Sequence, residues 1–285
     1  MAFRADGKRV RKADPMYTVV PYIMDKRNDA MNMITVDVPV APIQDYINEK
    51  RKEGIRINHM SVILAAYLRT LKDYPLLNNF IVNKKIYTHK EISVAMVVLK
   101  NLATQEETMS KVVFDPDDDV FEVNKKLTEY VGENRKVSTV NNTDKMIKFL
   151  VSIPGLLNFG VGLFKLLDRY GLLPKFIIDL SPFHSSLTFT NLASIRTNHI
   201  YHHIYNFGTT SVFIAMGKNR EVAKKKNGEI VFEKCMPLGV VMDERICSGI
   251  YFAAAFRKFS NYLETPAVLE EKYEPAKEEE EENKE

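Results

Sequence analysis

The chain has 285 residues, of which 45% are hydrophobic, so it can bury a sizeable core as one large domain. Its formal net charge is only +3, which argues against a nucleic-acid partner because it provides no strong positive field. Two cysteines without CxxC spacing are too few for a disulfide framework, and residues 1–15 are polar, with no apolar stretch typical of a signal peptide. We therefore expect a cytoplasmic protein.

Charge is concentrated at the two ends of the chain. Residues 1–14 are basic and predict a flexible amino terminus, whereas residues 269–285 are acidic and predict a disordered tail. Residues 15–268 predict a single domain, within which residues 145–182 form an unusually apolar helical segment.

The first half of the domain alternates between helix and strand patterns. Asp14 is a suitable cap for a first helix, and Asn58 caps a second strong helix that Pro75 ends. Short β-branched runs separated by turn residues indicate strands. The predicted helices are 16–33, 42–52 and 59–73, and the predicted strands are 34–40, 79–82, 85–88 and 93–98.

The second half begins with an acidic stretch, residues 115–119, that leads into a predicted helix over 120–133. This stretch lacks the glycine and the distal glutamate of a calcium loop, and carboxylates at a helix start are favoured by the helix dipole, so we expect no metal. Further strands are predicted over 185–192, 212–217, 230–232 and 236–242, with a hairpin turn at 227–228, and a last helix over 250–263.

Residues 149–180 are largely apolar but are too short and too interrupted by proline and glycine to span a membrane. Leu163 to Tyr170 fit an amphipathic helix that Gly171 ends. Two interpretations stay open. The segment packs on the domain or forms a surface groove, or it makes a weak contact with a membrane surface.

The most informative motif is Asp-Glu-Arg-Ile-Cys-Ser-Gly at residues 243–249, between the predicted strand 236–242 and the last helix. It resembles the signature of the chloramphenicol acetyltransferase family and of the acyltransferase cores of 2-oxo acid dehydrogenase complexes, which reads Asp-His-Arg-x-x-Asp-Gly. The first Asp, the Arg and the Gly of that pattern match here. Glu244 stands at the histidine position and Ser248 at the second aspartate position.

Two other segments resemble the same family: Tyr-Pro-Leu-Leu-Asn at 74–78 and Thr-Phe-Thr-Asn-Leu at 188–192. The resemblance spans residues 15–266, with residues 145–182 as an insertion. It implies an α/β fold with α+β layering, in which helices cover a mixed sheet, and it implies a homotrimer.

The resemblance also implies a chemistry. Relatives transfer an acyl group from a coenzyme A thioester to a thiol or hydroxyl acceptor, with the motif histidine as base across a subunit interface and a strand hydroxyl on the oxyanion. It therefore implies coenzyme A or acyl-CoA as a substrate, a small-molecule acyl donor and acceptor, and no metal. The catalytic candidates are Glu244, Thr190 (with Thr188 second), Ser248 and Arg245, and the structural candidates at the site are Asp243, Gly249, Arg27 and Asn191.

Glu244 leaves two functions open. A glutamate is ordinarily a weaker base than imidazole, so the chain is either an enzyme with Glu244 as base or an inactive homotrimer that binds or scaffolds. Because Ser248 carries no charge, we expect Arg27 to pair with Glu244 instead. His202 and His203 are alternative bases, and Cys247 is expected to be a small apolar filler.

Overall fold

The computed structural model describes residues 4–101, 106–135, 145, 148, 149 and 151–273. The predicted disordered tail, residues 269–285, is wrong at its start, because Leu269 is 1% exposed and packs in the main core, and beyond residue 273 it lies outside the described residues. Within them, the elements follow one another as β1 (Gly7–Arg9), α1 (Pro15–Ile23), β2 (Met31–Pro39), α2 (Val40–Lys52), α3 (His59–Asp73), β3 (Asn79–Val82), β4 (Lys85–His89), β5 (Ile92–Asn101), β6 (Glu106–Phe114), α4 (Val120–Arg135), α5 (Leu156–Tyr170), α6 (Lys175–Leu180), β7 (Leu187–Asn191), β8 (Val212–Met216), β9 (Arg220–Lys226), β10 (Glu229–Asp243) and α7 (Gly249–Glu264).

A mixed sheet organises the domain, with the strand order β2-β10-β8-β7-β5-β6. Strand β7 runs parallel to both β5 and β8, whereas β10 is antiparallel to β2 and β8. The first half of β10 pairs with β9 as a hairpin that turns at Asn227-Gly228. A second, smaller sheet has the order β1-β4-β3. The predicted α/β class with a mixed sheet and covering helices is confirmed.

Side chains alternate across the sheet, which gives it two different faces. Leu187 and Phe189 of β7 point to the main core, which α2, α3, α4 and α7 cover. Thr188 and Thr190 therefore lie on the opposite face. There the loop 196–206 crosses the sheet and packs Ile204 against β8 and β10.

Gly239 makes the close approach of this loop possible. A Cβ at that position would come within 2.3 Å of the Ile200 carbonyl oxygen. The face opposite the helices is therefore shaped by a backbone contact that only glycine permits.

The first helix is shorter than predicted. It ends at Ile23, and β2 begins at Met31, three residues before the expected strand start. Between them Arg27 sits in a 3-10 turn with its side chain buried, an arrangement that a continuous helix over 16–33 would not allow. Strand β6 had no sequence prediction. By contrast, α3 has the predicted bounds, with the Asn58 side chain accepting a hydrogen bond from the Ser61 amide.

The amino terminus from Arg4 onward is packed against the domain, contrary to the expectation of a flexible end. Arg4 donates from Nη2 to Asp168 Oδ1 over 2.6 Å and from Nε to Asp6 over 2.9 Å. Burial raises the pKa of Asp168, but the neighbouring His184, whose Nε2 lies 3.3 Å from Oδ1, and the charge of Arg4 lower that pKa to about 2. A fixed ion-pair cluster therefore holds the basic end in place.

His89, at the end of β4, lies beside this cluster and packs against Phe80, with a ring-centroid distance of 4.4 Å and the rings inclined by 36°. Burial lowers the pKa of His89 from 6.5 to about 3, because the charged imidazolium is excluded from water. The unfolded chain therefore takes up a proton below about pH 6.5 that the folded chain refuses.

We predict that His89 makes the protein less stable as the pH falls from about 6.5 towards 3, by about 1.4 kcal/mol per pH unit. Urea unfolding of wild type and of His89→Phe between about pH 6.5 and 5, above the range where carboxylates titrate, measures this slope. In the variant, the slope of the unfolding free energy against pH should be smaller by the contribution of about one proton, which is about 1.4 kcal/mol per pH unit. His59 and His199, whose pKa values burial also lowers, should retain their share. Equal pH slopes of the unfolding free energy for wild type and His89→Phe would contradict the assignment of this proton to His89.

Candidate active site

The turn after β10 is built around one buried carboxylate. Asp243 accepts hydrogen bonds from Nε and Nη2 of Arg245, both over 2.7 Å, and from Nε of Arg27 over 3.3 Å. All three side chains are almost completely inaccessible to solvent. Two guanidinium groups thus neutralise Asp243 and fix the turn at the end of the strand.

Arg27 connects this turn to distant parts of the chain. Its remaining N–H groups donate to the backbone carbonyl oxygens of Ile81, Tyr205 and Gly208. The predicted pairing of Arg27 with Glu244 is therefore wrong, because the buried guanidinium already pairs with the motif aspartate. Arg245 is likewise committed to Asp243 through Nε and Nη2, and its Nη1 donates to the Met24 carbonyl oxygen, a geometry that supports the turn.

Glu244 is half-buried and is held at the edge of the sheet. Its Oε2 accepts a hydrogen bond from Nδ2 of Asn32 over 2.8 Å, and its amide donates to the Ala30 carbonyl oxygen over 2.9 Å. Asn32 belongs to β2, and its Cα is paired with that of Met242. The sequence prediction missed Asn32 because it placed this residue in a helix, and a β2 register starting at Met31 would have found it.

Ser248 begins α7 as its N-cap. Its Oγ accepts a hydrogen bond from the Tyr251 amide over 3.1 Å, as an aspartate in the same position could. Loss of the family's second aspartate therefore leaves the helix start intact. Gly249 is the first residue of α7, with open space where a Cβ would lie. Burial raises the pKa of Cys247, which keeps its thiol protonated and fits the expected filler role.

Thr190 is near the end of β7 and lines a cavity of about 280 Å³, together with Met60, Val97 and Leu192. Its hydroxyl has no hydrogen-bond partner among the described residues, and the side chain is half-buried. Thr188, by contrast, is 3% exposed. The free hydroxyl in a partly apolar cavity makes Thr190 the better candidate for an oxyanion donor.

Asn191 follows directly and shapes this end of the strand. Its Oδ1 accepts a hydrogen bond from the Ser194 amide over 3.1 Å and so caps a short 3-10 turn, Leu192–Ile195. The residue also lines a second, adjoining cavity of about 510 Å³, which shares Met60 and Arg135 with the first. Asn191 therefore has a structural role at the site.

Thr190 and Glu244 are far apart within one chain. The register pairs Thr190 with Ala215, and Ala215 with Gly239, which is four residues before Asp243. Asp243 is therefore displaced from Thr190 by about 13 Å along the strands and by about 10 Å across the sheet, and Glu244 lies one residue further on. Any site that uses both residues must therefore take them from two different subunits.

The histidines of the 196–206 loop are not brought together as a metal site. His202 stacks on Phe213 with a centroid distance of 4.3 Å, and its Nδ1 contacts the carbonyl oxygen of His203. His199 contacts Thr35 instead, through Nε2 and Oγ1 separated by 3.1 Å. Within the described ranges, no group of three or more His, Cys, Asp or Glu side chains could hold a metal.

We predict that Asp243→Asn destabilises the protein by about 3–5 kcal/mol, because it leaves two buried guanidinium groups short of a counter-charge. The matched control is Asp37→Asn, which removes a carboxylate from an exposed pair with Arg220 and should cost about 1 kcal/mol or less. Urea unfolding of both variants measures the difference. Equal losses would show that the buried cluster does not hold the turn.

Comparison with known proteins supports the resemblance. Residues 184–270 match the model of the 2-oxoacid dehydrogenases acyltransferase (catalytic domain) family. The matched part runs from the segment before β7 to the end of α7, so it includes both Thr190 and the 243–249 turn. A comparison with curated protein sequences finds no match.

Several solved structures share the fold over almost the whole chain. A probable dihydrolipoamide acetyltransferase from Listeria monocytogenes is 15% identical, with a TM-score of 0.56, 89% of this chain covered and 94% of that one. The cubic core of a pyruvate dehydrogenase multienzyme complex is 10% identical, with a TM-score of 0.58 and coverages of 91% and 94%. A chloramphenicol acetyltransferase is 11% identical, with a TM-score of 0.53 and coverages of 90% and 99%.

At these identities the structures show a shared fold, and the family model adds a sequence match in the part that carries the candidate site. The resemblance expected from the motifs is thus confirmed. The chain has the fold of chloramphenicol acetyltransferase and of the dihydrolipoamide acetyltransferase cores, and its carboxyl-terminal third is similar in sequence to the 2-oxoacid dehydrogenase acyltransferase catalytic domain.

Proposed function

We propose that the protein is a coenzyme A-linked acyltransferase that acts as a homotrimer in the cytoplasm. Glu244 of one subunit serves as the base, and Thr190 of the next subunit serves as the oxyanion donor. The observation that carries this proposal is the unpaired Thr190 hydroxyl, which lines a cavity beside Asn191 in the segment that the acyltransferase model matches. The fold and the retained 243–249 turn support it.

The proposed step moves one acyl group and one proton. The Glu244 carboxylate takes the proton from the thiol or hydroxyl of the acceptor while the acceptor's sulfur or oxygen attacks the thioester carbonyl carbon. The carbonyl electron pair moves onto oxygen, where the Thr190 hydroxyl donates a hydrogen bond to the oxyanion. When the carbonyl re-forms, the C–S bond breaks, and the departing coenzyme A thiolate takes the proton back from Glu244.

Asn32 orients the proposed base. Its amide holds one carboxylate oxygen of Glu244, which leaves the other oxygen to accept the proton. The buried Arg27–Asp243–Arg245 cluster fixes the backbone from which Glu244 projects. In the proposed trimer, this support holds Glu244 in place towards the next subunit.

We predict that Glu244→Gln lowers turnover by about 10²- to 10⁴-fold, because the amide cannot accept the proton. The assay separates acetyl-coenzyme A from coenzyme A by chromatography, with dihydrolipoamide or chloramphenicol as acceptor probes. The matched control is Glu229→Gln, an exposed glutamate at the β9–β10 turn that should keep wild-type turnover. Trimer mass from light scattering must be the same for all proteins, and an active Glu244→Gln trimer would contradict the proposal.

A mixing experiment tests whether the site is shared between subunits. Thr190→Val removes the oxyanion donor and should cost about 10²- to 10³-fold, whereas Thr190→Ser keeps a hydroxyl and should retain most of the turnover. We predict that mixed trimers of Glu244→Gln and Thr190→Val subunits regain activity. Some interfaces then combine the intact Thr190 of a Glu244→Gln subunit with the intact Glu244 of a Thr190→Val subunit. No regain after verified subunit exchange would show that the two residues do not form one site.

The second candidate function is a homotrimer that binds or scaffolds without catalysis. The observation that favours it is the Asn32–Glu244 hydrogen bond, which already engages one oxygen of the carboxylate within its own chain. In that case wild type and Glu244→Gln should be equally inactive with both acceptor probes. Thermal stabilisation by acetyl-coenzyme A should then be the same for both proteins.

A further inference from the structure

The apolar face of helix α5 is wider than the part of the helix that packs against the domain. Its apolar residues occupy more than half of the helix circumference, and four of them recur at helical spacing on the solvent side, with exposed fractions between 37% and 69%. These four residues, which we call the α5 stripe, are Phe159, Leu163, Leu166 and Tyr170. An exposed stripe of this kind on a single helix marks an interaction surface.

The orientation of α5 is fixed from its inner side. Phe164 and Leu167 pack against a small cluster that includes Ile177 and Ile178 of α6. Asp168, 5% exposed, is held by the buried Arg4 guanidinium. The stripe therefore cannot turn inward without breaking a buried ion pair, and the fold presents it outward.

Helix α1 carries a second exposed apolar stripe. Met16, Val19, Tyr22 and Ile23 have exposed fractions between 50% and 75%. Both helices are attached to the turn between β3 and β4. The Nζ of Lys84 lies 4.9 Å from the Tyr22 ring centroid on the α1 side, and Arg169 Nε contacts Asn83 Oδ1 over 3.4 Å on the α5 side.

A basic cleft of about 510 Å³ lies beside these attachments. Its exposed charged lining is mainly cationic, with Lys26, Lys84, Lys165 and Arg169 against the single exposed acid Asp25. The Asp168 carboxylate, which also lines the cleft, is already paired with Arg4. The cleft therefore attracts an anion, at a place where apolar stripes adjoin the cations.

We propose that α1, α5 and this cleft dock on the surface of an anionic lipid bilayer. Exposed aliphatic and aromatic side chains on one side of a helix, bordered by Lys and Arg, fit the boundary between lipid headgroups and acyl chains. The basic cleft supplies the matching charge for lipid phosphates. Among the described residues no helix is long and apolar enough to cross a membrane. The inference does not rest on the acyl-transfer proposal.

Vesicle flotation of the full-length protein tests the docking surface. We expect binding to phosphatidylcholine vesicles that contain phosphatidylglycerol, weaker binding to phosphatidylcholine alone, and a decline with added salt. Lys165→Gln with Arg169→Gln should weaken binding to the anionic vesicles about 25-fold, or about fivefold for each cation. Phe159→Asn with Leu166→Asn should weaken it by about tenfold or more.

The matched control is Ile230→Asn with Phe232→Asn, which changes two equally exposed apolar residues, 73% and 71% accessible, on the β9–β10 hairpin. This control should bind vesicles as wild type does. Absence of binding to anionic vesicles, or equal loss in the control and the α5 variant, would overturn the proposal. If the α5 variant instead lowers the oligomeric mass and leaves vesicle binding unchanged, the stripe is a contact between copies of the chain.

Discussion

The structure depends on the burial of Asp243 between two guanidinium groups. An unpaired carboxylate with no access to solvent would be unstable, and Arg245 alone supplies only local bonds within the turn. Arg27 adds the long-range part, since its remaining donors reach backbone carbonyls near β3 and in the loop before β8. One charged cluster thus sets the position of the β10 turn relative to the small sheet and to the start of β2.

The same cluster explains how the turn survives the two changes from the family pattern. Ser248 still caps α7 through its hydroxyl, and Glu244 takes its position from Asn32 on the neighbouring strand rather than from an arginine. The buried cluster that supports the turn is therefore present, whereas a carboxylate stands at the histidine position of the motif that the turn resembles. Thr190, two strands away, has its hydroxyl in an open cavity, so the two proposed catalytic groups are held by rigid but separate parts of the sheet.

Local signals in the sequence were sufficient for elements with clear ends. Asn58 and Pro75 define α3, and the Asn227-Gly228 pair defines the β9–β10 turn. Prediction was wrong where a tertiary interaction decides the structure. The apolar spacing after Asp14 continues as if one helix ran to residue 33, but burial of Arg27 ends the helix and lets Asn32 join the sheet.

In the candidate site, too, local features could be predicted from the sequence and tertiary pairings could not. The motif comparison identified the residues of the 243–249 turn, because their types and spacing are local properties. The guanidinium that neutralises Asp243 belongs to Arg27, and the amide that holds Glu244 belongs to Asn32. These partners lie 216 and 212 positions earlier in the sequence. Pairings of that kind follow from the register of the sheet, which a single sequence does not specify.

The ion pair between Arg4 and Asp168 joins residues that are 164 positions apart. During synthesis, Asp168 leaves the ribosome only after more than half of the protein, so until then Arg4 has Asp6 as its nearby counter-charge. Closure of so long a loop is slow relative to the folding of local helices. The amino-terminal strand can pair with β4 earlier, whereas α5 gains its final orientation only when the Arg4–Asp168 pair has formed.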